Sequence, residues 1–351
     1  MKKIISFLLL IFLIFSLFAC GNVNGKIQPR SKTISSSYFN TLSVIYAYAD
    51  EDGSDIEKYS AIAEEILSYY HKLFDIYFEY ADFNNIRTIN KNAGKTPVKV
   101  NRDLIDFLLY CKELYTLTGG KTNVMLGSVL KIWHDLREDA EDDFGYLDPS
   151  ELPSEDILSE AATHTAIDLL VINEEESTVY ISDPKASLDV GAIAKGYTVD
   201  ILYDRLKAEG ADSVALNIGG NLRTIGLKPN AEPWVTGITN PDKESDDTVK
   251  CRIKIEEASV VTSGDYERYF MAGDKKYHHI IDPETLMPAE YFASVSIITT
   301  ESALADTLST ALFCMPYDDG LALAESIEGV EVIWIYKDGT LKYTDGIRIA
   351  K

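Results

Sequence analysis

Ser187-Leu188-Asp189-Val190-Gly191-Ala192-Ile193-Ala194-Lys195-Gly196-Tyr197 reads as a strand that passes through a small-residue turn into a helix from Ile193 to about Glu209. Downstream of it the chain alternates short β-branched runs with polar turns, which predicts strands over Ser213 to Asn217, Trp234 to Thr239, Lys250 to Ile255, Tyr277 to Ile281 and Ser294 to Thr299. A helix from Ser302 to Cys314 and a hairpin around Lys337-Asp338-Gly339 close the chain. Upstream, strands are expected at Leu169 to Ile172 and Val179 to Ser182. The first half is otherwise helical in pattern. A strand over Leu42 to Ala49 leads to a capping box at Ser54-Asp55-Ile56-Glu57 and a helix to about Tyr77. A second helix runs from Asn101 to Thr118 and stops at Gly119-Gly120. Shorter helices follow at Ser128 to Arg137 and Glu155 to Ala162, with the acidic stretch Glu138 to Asp143 read as a solvated loop. Helices mixed with hairpin-linked strands predict an α+β domain rather than a doubly wound parallel sheet.

The beginning of the chain is of another kind. Met1-Lys2-Lys3 precedes an apolar run from Ile4 to Ala19 that ends at Cys20 and turns polar at Gly21-Asn22, the outline of a signal peptide. Leu17-Phe18-Ala19-Cys20 also resembles a bacterial lipobox, which implies cleavage after Ala19 and lipidation of Cys20. Two acyl chains anchor stably because each buried methylene contributes about 0.8 kcal/mol. Residues 20–37 are polar and Ser-rich and read as a flexible tether, leaving 38–351 as the folded domain. The expected location is the extracytoplasmic face of a cell membrane, held by the lipid.

The formal charge of −23 argues against nucleic-acid binding, which needs cations to displace phosphate counterions. Cys111, Cys251 and Cys314 lack C-x-x-C spacing and read as buried thiols.

Four segments place polar residues or glycines inside otherwise apolar elements. The turn at Gly191 would expose backbone amides at a helix N-terminus, where a phosphate is stabilised, and Lys195 could reach the same anion; such turns are also common as plain structure. Asn217-Ile218-Gly219-Gly220-Asn221 ends a strand in paired glycines, which fits close backbone approach or a tight hairpin equally. Tyr277-His278-His279-Ile280-Ile281-Asp282-Pro283 holds two of the chain's five histidines. If that segment is extended, the two rings point to opposite faces and only one enters a pocket. In Ser302 to Leu312, Asp306 and Thr310 are four apart and share a helix face, a pairing that suits a hard cation such as magnesium or an aspartate satisfying a backbone amide.

Together and in this order, with Thr262-Ser263-Gly264-Asp265-Tyr266-Glu267-Arg268-Tyr269 between the second and third, these segments resemble the ApbE-type FAD:protein FMN transferases over about Tyr38 to Ile349. The resemblance implies a single ApbE-like, T-fold-like α+β domain of largely antiparallel strands. It implies FAD as substrate, Mg2+ as cofactor, and an acceptor protein with a Ser/Thr-Gly-Ala-Thr-like motif. Carried over by position, Asp189, Lys195, Phe39, Tyr80, Asn123 and Ile280 fall on flavin-nucleotide contacts, with Gly127 in the same pocket. The carbonyl of Ala192 with Asp306 and Thr310 falls on the metal site, and His279 on the catalytic histidine. Ala192 stands where glycine is commoner, Asn123 where aspartate is common, and Leu286 where glycine is usual. The implied reaction moves FMN from FAD to a threonine hydroxyl and releases AMP. A magnesium-dependent FAD pyrophosphatase and a non-catalytic flavin-binding lipoprotein are the alternatives.

Overall fold

In the computed structural model, residues 29–34, 38–48, 53–142 and 145–350 are described. Cys20 and the leader lie outside them. Eight strands lie side by side in chain order: Arg30–Ile34, Ser43–Ala47, Val214–Ile218, Asn221–Ile225, Ser259–Gly264, Ser294–Thr299, Glu331–Ile335 and Leu341–Tyr343. Every neighbouring pair is antiparallel. Antiparallel neighbours need no long crossover, so helical segments are inserted between strands without disturbing their order.

The helices Ser54–Phe74, Ala194–Ala208 and Ser302–Phe313 cover one face, burying Leu67, Val199, Leu202, Leu308 and Leu312 against Ile45, Leu216, Val295 and Trp334. The hairpin Trp234–Thr239 and Val249–Ile255 covers part of the other face, where Ile238 and Ile253 meet Val260, Ile333 and Ile335. Val332 and Trp334 therefore face the helices while Ile333 and Ile335 face the hairpin, as period two requires. A second core gathers Phe74, Phe107 and Val179 around the helix Arg102–Leu117. The helix Gly127–Asp142 packs Trp133 on Tyr277, ring centroids 5.9 Å apart.

The α+β expectation holds, and the strands at Trp234–Thr239 and Ser294–Thr299 fall where their patterns put them. Gly219 and Gly220, at φ 57° and 91°, make the two-residue turn between Ile218 and Asn221, so the paired glycines form a hairpin. Other boundaries differ. Arg30–Ile34, assigned to the tether, is an edge strand on Ser43–Ala47 with Ile34 buried; one inward apolar side chain left little pattern to read. Ser54 is itself helical behind Gly53 at φ 80°, so no capping box forms there, and the helix ends at Phe74. The acidic stretch after Arg137 continues the helix to Asp142, because Ala140 on its inner side is buried. Ser187 to Val190 is extended but joins no sheet; its hydrogen bonds go to Asn90 and Val124 instead. The strand before Asp282 stops at His278. Cys111 and Cys314 are buried, whereas Cys251 is half-buried; all three are free.

Candidate active site

Gly196 lies in the first turn of the helix Ala194–Ala208, against the start of Ser302–Phe313. A Cβ there would sit 2.3 Å from the carbonyl oxygen of Ser302, so only glycine permits this approach. The approach lets the Gly196 N–H donate to Asp306 Oδ2 at 3.0 Å, with Lys195 Nζ 3.5 Å from the same oxygen. An α-helical N–H at this position would bond the carbonyl four residues back, that of Ala192. Its diversion leaves the Ala192 oxygen without a backbone donor among the described residues. Asp306 is thus an aspartate that satisfies an amide, but through Oδ2, and its other oxygen makes no hydrogen bond among the described residues. Thr310, one turn on, donates to the Asp306 carbonyl at 3.4 Å and is half-buried. The carboxylate of Asp306, the hydroxyl of Thr310 and the carbonyl of Ala192 form an all-oxygen donor set. No group of three His, Cys, Asp or Glu suited to a metal occurs among the described residues.

Asp200, one turn after Gly196, fixes the register of the two helices. Its carboxylate accepts the N–H groups of Ser302 and Ala303, both at 2.8 Å, and pairs with the buried Arg223. Nothing in the sequence pattern singles Asp200 out.

Asp189 precedes the turn and is held by its own backbone: its N–H donates to Val124 O at 2.8 Å, and Oδ1 accepts from Gly191 N–H at 3.0 Å. Asn90 grips the preceding residue, accepting from Leu188 N–H and donating to Leu188 O. Oδ2 of Asp189 lies 4.0 Å from His134 Nδ1. Burial pushes His134 below its ordinary pKa. Asn123 is half-buried; its amide donates to Thr165 O at 2.9 Å and its oxygen accepts from Met125 N–H, on either side of Val124, whose carbonyl accepts from Asp189 N–H. Gly127 is required for close approach, since a Cβ would meet Ser187 O at 2.4 Å.

The two histidines differ sharply. His278 is 4 % exposed, with Nε2 2.8 Å from Ala289 O, Nδ1 accepting from Ile280 N–H, and its ring edge-on to Phe313. Burial pushes it down to about 4, and both nitrogens are committed. His279 is half-buried, and its N–H and Nδ1 both meet Arg268 O, at 3.1 and 3.2 Å. A carbonyl only accepts, so Nδ1 carries the proton and Nε2 keeps its lone pair. Burial, then the charges of Arg268, His278 and Arg137, push His279 down to about 3.

Other expected contacts are less direct. Tyr80 donates to Asp75 Oδ2 at 2.7 Å and stacks on Phe83; burial and that bond push it up to about 12. Phe39 sits at φ 52° with its N–H donating to His71 Nδ1. It is the exposed Tyr77, not Tyr80, that lies in the field of Asp189, Arg137 and Arg268. Ile280 is 5 % exposed, packs in the core, and its carbonyl accepts from Ala289 N–H.

A mixed sheet-and-helix domain in which a glycine-lysine turn is bonded directly to an Asp-Thr helix defines the class. The chain belongs to the ApbE family, whose sequence model matches residues 39–334. It is 29 % identical over 341 residues, covering 93 % of this chain and 90 % of the relative, to an FAD:protein FMN transferase of Treponema pallidum. A Klebsiella pneumoniae protein of the same description is 30 % identical over 73 % of this chain and 76 % of its own. The ApbE protein of Thermotoga maritima superposes with a TM-score of 0.77 at 25 % identity, over 91 % of this chain and 97 % of that one. The flavin transferase ApbE of Vibrio cholerae gives 0.74 at 25 % identity, over 90 % and 97 %.

Proposed function

We propose that this protein is an FAD:protein FMN transferase that works with Mg2+ and delivers FMN to a threonine hydroxyl of an acceptor protein. One observation carries the reading: the Gly196 N–H is spent on Asp306, which leaves the Ala192 carbonyl free beside a carboxylate and a hydroxyl. Hard, oxygen-only donors in small number suit magnesium, which keeps water and phosphate oxygens in its remaining positions. Asp306, Thr310 and the Ala192 carbonyl would hold the ion. When bound, it supplies positive charge to the pyrophosphate oxygens.

The chain's own residues account for the rest. Lys195 releases Asp306 to the cation and turns to the dinucleotide. His279 takes the acceptor's hydroxyl proton on Nε2, while Arg268 O keeps the ring in that tautomer. The hydroxyl oxygen bonds to the FMN phosphorus as the bond to the bridging oxygen breaks, and that oxygen departs with AMP. The ring is neutral at physiological pH, with the lone pair of Nε2 free to accept the proton. With water as the nucleophile, the same site would act as a pyrophosphatase.

The test is incubation with FAD and magnesium, with and without an acceptor carrying a Ser/Thr-Gly-Ala-Thr-like segment. Mass spectrometry should find FMN on the acceptor threonine, AMP equal to it, and neither after chelation. Free FMN without adduct would favour the pyrophosphatase. For location, the lipobox at Cys20 supports a lipid-anchored protein facing out of the cytoplasm.

A further inference from the structure

Arg137 and Arg268 come from distant parts of the chain, and neither has an ion-pair partner among the described residues. In a chain with 56 acidic side chains against 33 basic ones, two unpaired guanidinium groups in one place are worth explaining. Arg137 is three residues from His134 on the helix Gly127–Asp142, and so on the same face, and His134 stands 4.0 Å from Asp189. Arg268 holds His279 through its carbonyl. Both arginines also lower the pKa of His134 and His279, secondary to burial. Trp133, next to His134, packs on Tyr277, two residues before His279, at 5.9 Å, so the helix carrying Arg137 lies against the hairpin next to Arg268, with Asp189 and His279 beside them.

We propose that Arg137 and Arg268 form a two-arginine clamp on the phosphoryl group under attack. The inference rests on the transferase reading. A base that takes the proton of an attacking hydroxyl must lie within hydrogen-bond reach of it, so the oxygens of the attacked phosphorus come close to His279. Charge on those oxygens grows as the new P–O bond forms and the bond to the leaving AMP breaks. Guanidinium groups meet such oxygens with paired N–H donors, and with no carboxylate to release they need no prior rearrangement. Lys195, by contrast, starts on Asp306. The clamp thus acts on the transition state more than on bound FAD, whereas a role in ground-state binding would raise KM alone.

The experiment compares wild type with Arg137→Gln, Arg268→Gln, Arg268→Lys and the double Gln variant, with folding checked by thermal melting. FMN transfer to an acceptor peptide is followed at saturating magnesium, and FAD affinity is measured separately by flavin fluorescence. Each Gln variant should lose kcat by about a hundred-fold, the range seen on removing one transition-state donor, with FAD affinity changed less than about three-fold. Arg268→Lys should recover only part of the loss, since ammonium lacks the paired geometry. Wild-type kcat in a folded double variant, or a loss confined to FAD affinity, would overturn the clamp. Absence of transfer and of AMP release from wild type would instead overturn the transferase reading.

Discussion

The backbone N–H of Gly196 donates to the carboxylate of Asp306 at 3.0 Å, across 110 residues of sequence. The bond joins the glycine-lysine turn to the Asp-Thr helix, and Asp200 reinforces it one turn away by accepting from Ser302 and Ala303.

Asp306→Asn keeps an oxygen that can accept from Gly196 but removes the charge a cation needs. Melting temperature should stay within a few degrees of wild type while magnesium-dependent transfer falls by at least about a hundred-fold, since a bound metal supplies several kcal/mol of charge stabilisation. Titration of activity against magnesium checks this. An unchanged magnesium curve would place the metal elsewhere.

Gly196→Ala puts a methyl 2.3 Å from Ser302 O, which is backbone and has little room to move. Overpacking of this kind costs about 1–3 kcal/mol. Chemical denaturation should report that loss, and the separated helices should also raise the magnesium concentration at half-maximal activity. A variant as stable as wild type would show that the helices slide apart freely.

His279→Ala should lower transfer by about a hundred- to ten-thousand-fold with the fold retained. His278→Ala should act mainly on stability, because it removes a buried ring bonded to Ala289 O and Ile280 N–H. Paired kinetics and melts separate the two roles; a larger rate loss at His278 would reverse the assignment.

Both rings titrate below the ordinary histidine value of about 6.5, at about 4 for His278 and about 3 for His279. The unfolded chain therefore binds more protons than the native one between those values and about 6.5. The stability they contribute is complete above pH 6.5 and is lost as pH falls towards 4. Melting temperature should decline over that window, and His278→Gln should flatten part of the decline. Parallel profiles for the two proteins would show that acidic side chains account for all of it.

Cys20→Ser removes the only thiol that could carry a lipid at the expected cleavage point. The variant should move from the membrane to the soluble or unprocessed fraction on cell fractionation. A correctly cleaved Cys20→Ser protein still in the membrane would contradict lipid anchoring.

The sequence by itself determined the α+β class, most strands after Asp168 and the five segments that mark the family. These are local signals: strand periodicity at Trp234–Thr239, paired glycines at Gly219-Gly220, and the four-residue spacing of Asp306 and Thr310. Its errors are local too, at elements with little apolar pattern such as Arg30–Ile34 and the acidic end of Gly127–Asp142. Only the tertiary structure showed that the Asn123 amide reaches Thr165 O and that Ile280 packs in the core. It showed how differently His278 and His279 are held, with Ala289 O against one ring and Arg268 O against the other. It also set the helix carrying Arg137 against the hairpin next to Arg268. A side chain's chemistry is written in its type, but its protonation, partners and exposure depend on which distant groups the fold sets against it, and periodicity carries no record of those.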